Sequence, residues 1–456
     1  MSAPRVRVIG AGLAGCEAAW QIARQGISVT LYEMKPHHMS PAHHSEDFGE
    51  LVCSNSLRSM QLINGVGLLK AELSSMGSLI MEAAYATQVP AGSALAVDRE
   101  AFSRYITEKI ESHPNIEVVR QELHTPLSDE ITVCATGPLT DGKMAEAIAA
   151  LLPSQELHFY DAVAPIVAFA GVNMERAYFA SRYGKGDPTD YLNCPMTKEE
   201  YDAFYEALCS AEEAKLHDFD QPDGKITVFE GCMPVEVMAR RGYDTLRFGP
   251  MKPVGLPKPD GTEAYAVVQL RRENKEGTMY NLVGFQTHLT FGEQKRVFRM
   301  IPGLEEAEFL RFGVMHRNTY LQSPGFLQDT YATIPYPTLY FAGQMTGVEG
   351  YIESAASGFV AGLNAARQAQ NLPPIVFPKE SMIGAMAHYV SCGTQTKFQP
   401  MNANFGLLPP LAQKVKGPKT VRYEAMSKRA LSTLLDYCQS MDLPCDLPET
   451  KSETEA

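Results

Sequence analysis

Arg5-Val6-Arg7-Val8-Ile9-Gly10-Ala11-Gly12-Leu13-Ala14-Gly15 stands near the start of the chain and decides its fold class. Residues 5–9 read as a short buried strand, 10–15 as a tight turn, and 14–25 as a helix closed by Gly26. Residues 27–33 supply a second strand, which completes a β-α-β unit. Gly10, Gly12 and Gly15 satisfy G-x-G-x-x-G, where glycine permits the turn and lets backbone approach a pyrophosphate at the helix N-terminus. Glu33 ends the second strand, at about the 20-residue spacing of a ribose-binding carboxylate. Gly10, Ala11, Gly12, Leu13, Ala14, Gly15 and Glu33 are therefore candidate dinucleotide-binding residues. Methyltransferases that use S-adenosylmethionine also carry glycines after the first strand and an acid after the second, so this fingerprint alone leaves the cofactor open.

Outward from this unit, a polar, histidine-rich loop spans 34–50, and helical patterns follow around 62–76 and 99–113. The strand-like run 131–135 ends in Thr136-Gly137, again a strand running into a glycine turn. The texture then changes. Residues 201–216 read as an amphipathic helix, while 264–271 and 279–285 alternate like paired strands. Near the end, the apolar run 338–342 leads into Gly343, and 352–369 reads as a long helix of small residues. The expected class is α/β: a Rossmann-like domain begun by 1–170 and completed by 311–456, with a smaller α/β domain inserted at 171–310.

Bulk properties narrow the function. At 456 residues the chain is expected to form more than one domain. Its apolar runs are far shorter than the roughly 20 residues that span a bilayer, and its first residues lack a signal peptide's cleavage region. No membrane association is expected, and the protein should stay in the cytoplasm. Nine cysteines without a C-x-x-C pair fit a reducing compartment and argue against a zinc ribbon or a dithiol redox motif. A net charge of −13 opposes broad attraction to nucleic acid, so an RNA partner requires a local basic patch. Lys414, Lys416, Lys419, Arg422, Lys428 and Arg429 are one such cluster, and Arg240, Arg241 and Lys252 another. His37, His38, His43 and His44 lack the paired spacing of a structural zinc site, and no metal is expected.

Thr136-Gly137 and the later Gly343, Gly350, Tyr351 and Ile352 resemble the second and third cofactor contacts of FAD proteins of the glutathione-reductase type. In that type the late helix N-terminus faces the flavin's pyrimidine edge, where its dipole stabilises negative charge. A single complete G-x-G-x-x-G implies that NAD(P)H reaches the flavin without a nucleotide domain of its own. Pro41-Ala42-His43 and the run from Glu50 through Cys53-Ser54-Asn55 to Arg58 resemble the signature of the folate- and FAD-dependent tRNA (uracil-5-)-methyltransferases, the TrmFO family. So do Phe229-Glu230-Gly231-Cys232-Met233-Pro234, Gly284-Phe285-Gln286-Thr287-His288 and Met315-His316-Arg317-Asn318.

That resemblance implies FAD as cofactor, 5,10-methylenetetrahydrofolate and NAD(P)H as co-substrates, and a T-loop uridine of tRNA as target. Ribosomal RNA and the wobble-uridine aminomethyl chemistry of the related GidA type remain alternatives, although GidA chains carry a long helical C-terminal extension. The chemistry itself calls for thiols. Uracil C5 is a poor nucleophile until a thiolate adds to C6, and a carbon at the formaldehyde level needs two more electrons to become methyl. Cys53 and Cys232 each precede helix-initiating residues and have arginine nearby, conditions that favour a thiolate. The resemblance places both in the active site, Cys232 as candidate nucleophile and Cys53 as general base or flavin-facing thiol. It also makes His288 and His316, with Arg240 and Arg241, candidates to hold folate or RNA.

Overall fold

The computed structural model describes residues 5–40, 42–152, 157–214, 233–392, 398–413 and 415–446. Five parallel strands form the central sheet, in the order Leu339–Phe341, Ile131–Cys134, Arg5–Ile9, Ser28–Glu33 and Ile116–Arg120. Parallel strands covered on both faces need near-continuous apolar character, and Val6, Val8, Val29, Leu31 and Val133 are essentially inaccessible. The strand at Leu339–Phe341 comes from the far end of the chain and pairs Phe341 with Cys134, so the C-terminal part completes the sheet.

The helix Leu13–Arg24 crosses the late helix Tyr351–Ala369 at very short range, and glycine makes this approach feasible. A Cβ on Gly358 would lie 2.2 Å from the Ala14 carbonyl oxygen, and one on Gly362 would lie 2.5 Å from that of Ala18. The two helices therefore touch backbone to backbone, and both N-termini are brought to the same end of the sheet.

A second apolar core, containing Leu192, Val268, Leu282, Phe285 and Phe298, lies under a six-stranded antiparallel sheet. Its strands run in the order Tyr178–Phe179, Tyr191–Met196, Ala266–Arg272, Met279–Leu282, Ile166–Ala168 and Phe309–Arg311. The strands Leu157–Ala162 and Met315–Tyr320 pair antiparallel where the chain leaves and re-enters the parallel-sheet region. A smaller sheet of Ser56–Ser59, Ala94–Val97 and Gln88–Val89 had no counterpart in the sequence reading.

Some boundaries differ for local reasons. The helix expected over 201–216 is Lys198–Cys209, started by a capping box between Thr197 and Glu200. Pro234 is the N-cap of Val235–Arg240 rather than its first helical residue. No helix among the described residues is long and apolar enough to cross a membrane.

Candidate active site

A cavity of about 550 Å³ opens between the parallel sheet and the antiparallel one. Gly10, Ala11, Gly12, Leu13, Ala14, Glu33, Thr136, Gly137, Gly343, Gly350 and Tyr351 all line it. Gly15 and Ile352 do not: a Cβ on Gly15 would lie 1.8 Å from the Gly10 carbonyl oxygen, and Ile352 is packed in the core. Gly15 is thus a packing glycine, whereas Gly12 has a different job. A Cβ on Gly12 or on Gly137 would meet no protein atom within 4 Å, so the space both glycines keep open belongs to a ligand.

The donors around that space suit an anionic dinucleotide. Neither the helix Leu13–Arg24 nor the helix Tyr351–Ala369 has a side-chain cap at its N-terminus, so both present backbone N–H groups and positive dipole ends to the cavity. Glu33 is buried and accepts the backbone N–H of Ala11 at 2.7 Å and of Lys35 at 2.9 Å, which fixes the glycine turn against the second strand. These residues fit FAD, which Gly12, Glu33 and the two helix N-termini would hold.

Cys53 lies on the wall of the same cavity. Its backbone N–H donates to the Tyr351 phenol oxygen at 2.7 Å, and that of Ser54 donates to the same oxygen at 3.2 Å. Tyr351 therefore ties the cysteine loop to the first turn of the late helix, and burial raises its phenol well above its ordinary value. Removing the hydroxyl leaves two amides without that acceptor, at roughly 1–3 kcal/mol for a buried donor. Tyr351→Phe should lower the unfolding midpoint and raise amide hydrogen exchange at Cys53 and Ser54.

Three guanidinium groups surround this loop, and the sequence reading named none of them. Arg311 donates to the Val52 carbonyl at 2.8 Å, Arg99 donates to that of Leu51, and Arg271 donates to the side chains of Asn55 and Ser54 at 3.0 and 2.7 Å. Glu273 is buried and paired with Arg99 at 3.0 Å. Burial pulls Arg271 and Arg311 below the usual guanidinium value, whereas, against the pull of burial, Glu273 holds Arg99 above it. One cue was available: Arg271 follows the strand pattern of residues 266–270, in which Gln269 is the one polar residue.

Arg58, which also lines the cavity, pairs with the fully buried Glu353 at 2.5 Å. The Lys70 ammonium holds the loop from below, donating to the carbonyls of Arg58 and Ser59 at 3.0 and 2.7 Å. Burial, with Arg58 adding repulsion, pushes Lys70 down to about 7 from 10.5. Between those values the unfolded chain holds this proton more tightly than the folded one, so the Lys70 contribution to stability rises with pH across that window. Lys70→Met should flatten that part of a urea-stability profile.

The remaining candidates differ in their placement, and His43 is on the cavity wall. Cys232 lies outside the described residues. The chain after it is anchored at the cavity, where the Val235 N–H donates to the carbonyl of Gln286, a wall residue, at 2.7 Å. His288 does not line the cavity: it is buried, its N–H donates to Glu236 at 2.7 Å, and its Nδ1 is 3.8 Å from Glu213. Arg240 pairs with Glu213, and Arg241 is exposed; neither is on the cavity wall. His316 belongs to the strand Met315–Tyr320, and its side chain is not described. His43 bonds Ser40 at 2.6 Å. In the C-terminal basic cluster Arg429 is tied to the carbonyls of Pro409 and Pro410, and Lys414 is outside the described residues.

Residues 5–373 match the family described as Glucose inhibited division protein A. The chain is 57% identical to the methylenetetrahydrofolate--tRNA-(uracil-5-)-methyltransferase TrmFO of Lactiplantibacillus plantarum, over 96% of this chain and 98% of that protein. It is 58% identical to the protein of that name from Heliobacterium modesticaldum, over 94% and 97%. Among solved structures, Aquifex aeolicus GidA aligns with a TM-score of 0.67 at 17% identity, over 95% of this chain and 73% of that one, a likeness of fold. The chain belongs to the TrmFO family of methylenetetrahydrofolate--tRNA-(uracil-5-)-methyltransferases, within the wider Glucose inhibited division protein A group.

Proposed function

We propose that this protein transfers the one-carbon unit of methylenetetrahydrofolate to C5 of a T-loop uridine in tRNA, drawing electrons from NAD(P)H, in the cytoplasm. The observation that carries this reading is that Cys53 and the dinucleotide cradle of Gly12 and Glu33 share one cavity. FAD, when bound there, supplies the hydride equivalent that reduces the carbon to a methyl group.

The chain's own residues prepare the rest. A stacked uridine in a folded tRNA loop must leave the stack to reach the cavity. Cys232 is the nucleophile that adds to C6 and makes C5 an enolate carbon able to attack the methylene. Cys53, whose loop is held by Tyr351, Arg99, Arg271 and Arg311, is the base that takes the C5 proton. Loss of that proton expels tetrahydrofolate from the methylene, and once the exocyclic carbon is reduced to methyl the Cys232 thiolate leaves C6 and the ring double bond is restored. The relatives named above are tRNA enzymes, which favours tRNA over ribosomal RNA. Digestion of treated tRNA and rRNA to nucleosides tests the reading: 5-methyluridine from the T-loop supports it, whereas an aminomethyl wobble uridine or methylation of rRNA alone overturns it.

A further inference from the structure

The two most exposed large apolar side chains among the described residues lie on a knuckle of the antiparallel-sheet region, with Val254 on the same loops. Phe248 is 83% exposed, Tyr183 57% and Val254 50%. Burying such groups is normally favourable, so three together on one rigid piece need an occupant. The knuckle is rigid because its two loops are zipped together. The Tyr183 N–H donates to the Gly255 carbonyl at 2.9 Å, and Arg182 donates to the carbonyls of Val254 and Lys252 at 2.5 and 3.0 Å and to Gln269 Oε1 at 2.9 Å. Tyr183 is held at φ 59°, a conformation unusual outside glycine, and its ring packs on Gly255, where a Cβ would come within 2.5 Å of it.

Two further facts point to the kind of occupant. Lys185 and Lys252 stand on the same two loops, and neither ammonium has a carboxylate partner among the described residues. The knuckle also abuts the wall of the catalytic cavity: Gly284 lines the cavity, and a Cβ there would lie 2.5 Å from Pro250, two residues after Phe248.

We infer that Phe248 and Tyr183 are stacking platforms for unpaired tRNA bases next to the target uridine, with Lys252 and Lys185 on the adjoining phosphates. This rests on the tRNA reading above and adds a specific surface to it. Every base has a face that can stack on an aromatic ring, while the phosphates give the contact its salt dependence. Such a surface suits a loop opened to release one nucleotide, since the neighbours of a flipped base lose their own stacking partners.

The test uses the full-length, FAD-loaded protein and an unmodified tRNA transcript in an equilibrium binding assay. Phe248→Leu and Tyr183→Leu should each weaken binding about thirtyfold, the middle of the range for one stacked base, while Phe248→Trp retains wild-type affinity. Lys252→Gln should lower the slope of log K against log salt by about one. Flavin absorbance and its bleaching by NADPH report that each variant is folded. If wild-type protein neither binds nor methylates tRNA, the functional reading itself fails. If the wild type methylates tRNA but Phe248→Leu binds as tightly as wild type, only the platform is overturned. It is also overturned if Phe248→Leu abolishes self-association in sedimentation while tRNA affinity is unchanged, because the patch then joins two copies of the chain.

Discussion

Cys53→Ala should reduce methyl transfer to tRNA by about 10²–10⁴-fold, the usual contribution of a positioned general base, while leaving the protein folded and yellow. The sulfur lies on the cavity wall, and the loop is fixed by backbone bonds to Tyr351 and by the arginines, so the thiol can go without the loop following. Reduction of the flavin by NAD(P)H should be preserved, because it needs neither C6 addition nor loss of the C5 proton. Cys232→Ala should fail at an earlier step. A tRNA containing 5-fluorouridine distinguishes the two roles, since fluorine at C5 cannot leave as a proton would and the thiol that added to C6 stays attached. Peptide mapping should place that adduct on Cys232 in wild-type protein and still find it in Cys53→Ala. An adduct on Cys53 would exchange the two assignments.

Gly12→Val should yield a folded but colourless protein, whereas Gly15→Val should fold poorly or not at all. The two glycines belong to one motif, yet their surroundings are opposite. Gly12 has φ −73° and empty space where a Cβ would stand, so a side chain there costs the protein little and occupies the place of the pyrophosphate. A Cβ on Gly15 would collide with the Gly10 carbonyl at 1.8 Å, which forces the turn apart. Cofactor absorbance and thermal unfolding should separate these cases. Gly12→Val should unfold where wild-type protein stripped of FAD unfolds, because it loses only the stability that ligand binding adds. Full FAD retention by Gly12→Val would remove the glycine turn from the cofactor site.

The sequence made the parallel half of the fold legible because its determinants are local. Glycines at Gly10 and Gly15 force one turn, Glu33 bonds Ala11 from a strand that directly follows the helix, and Gly358 marks a helix with small residues on its packing face. The surroundings of Cys53 were not legible, because they are assembled from Arg99, Arg271, Arg311 and Tyr351, which are distant in sequence. No pattern within the Cys53 segment announces Arg271, whose bonds to Asn55 and Ser54 form only when the antiparallel sheet closes over the loop. His288 was read as a candidate ligand-binding residue from its block, but it faces Glu213 and Glu236 instead of the cavity. Phe248 was passed over for a related reason. An apolar residue in a short helix reads as core, and only the structure shows that this one is left outside.

The proposed function turns on the origin of the methyl carbon. Purified protein carrying FAD should be supplied with NADPH, tRNA lacking 5-methyluridine, and methylenetetrahydrofolate labelled at the transferred carbon. The label is predicted to appear in 5-methyluridine and to require both NADPH and the folate. Label entering tRNA only from S-adenosylmethionine, with none from the folate, would contradict it.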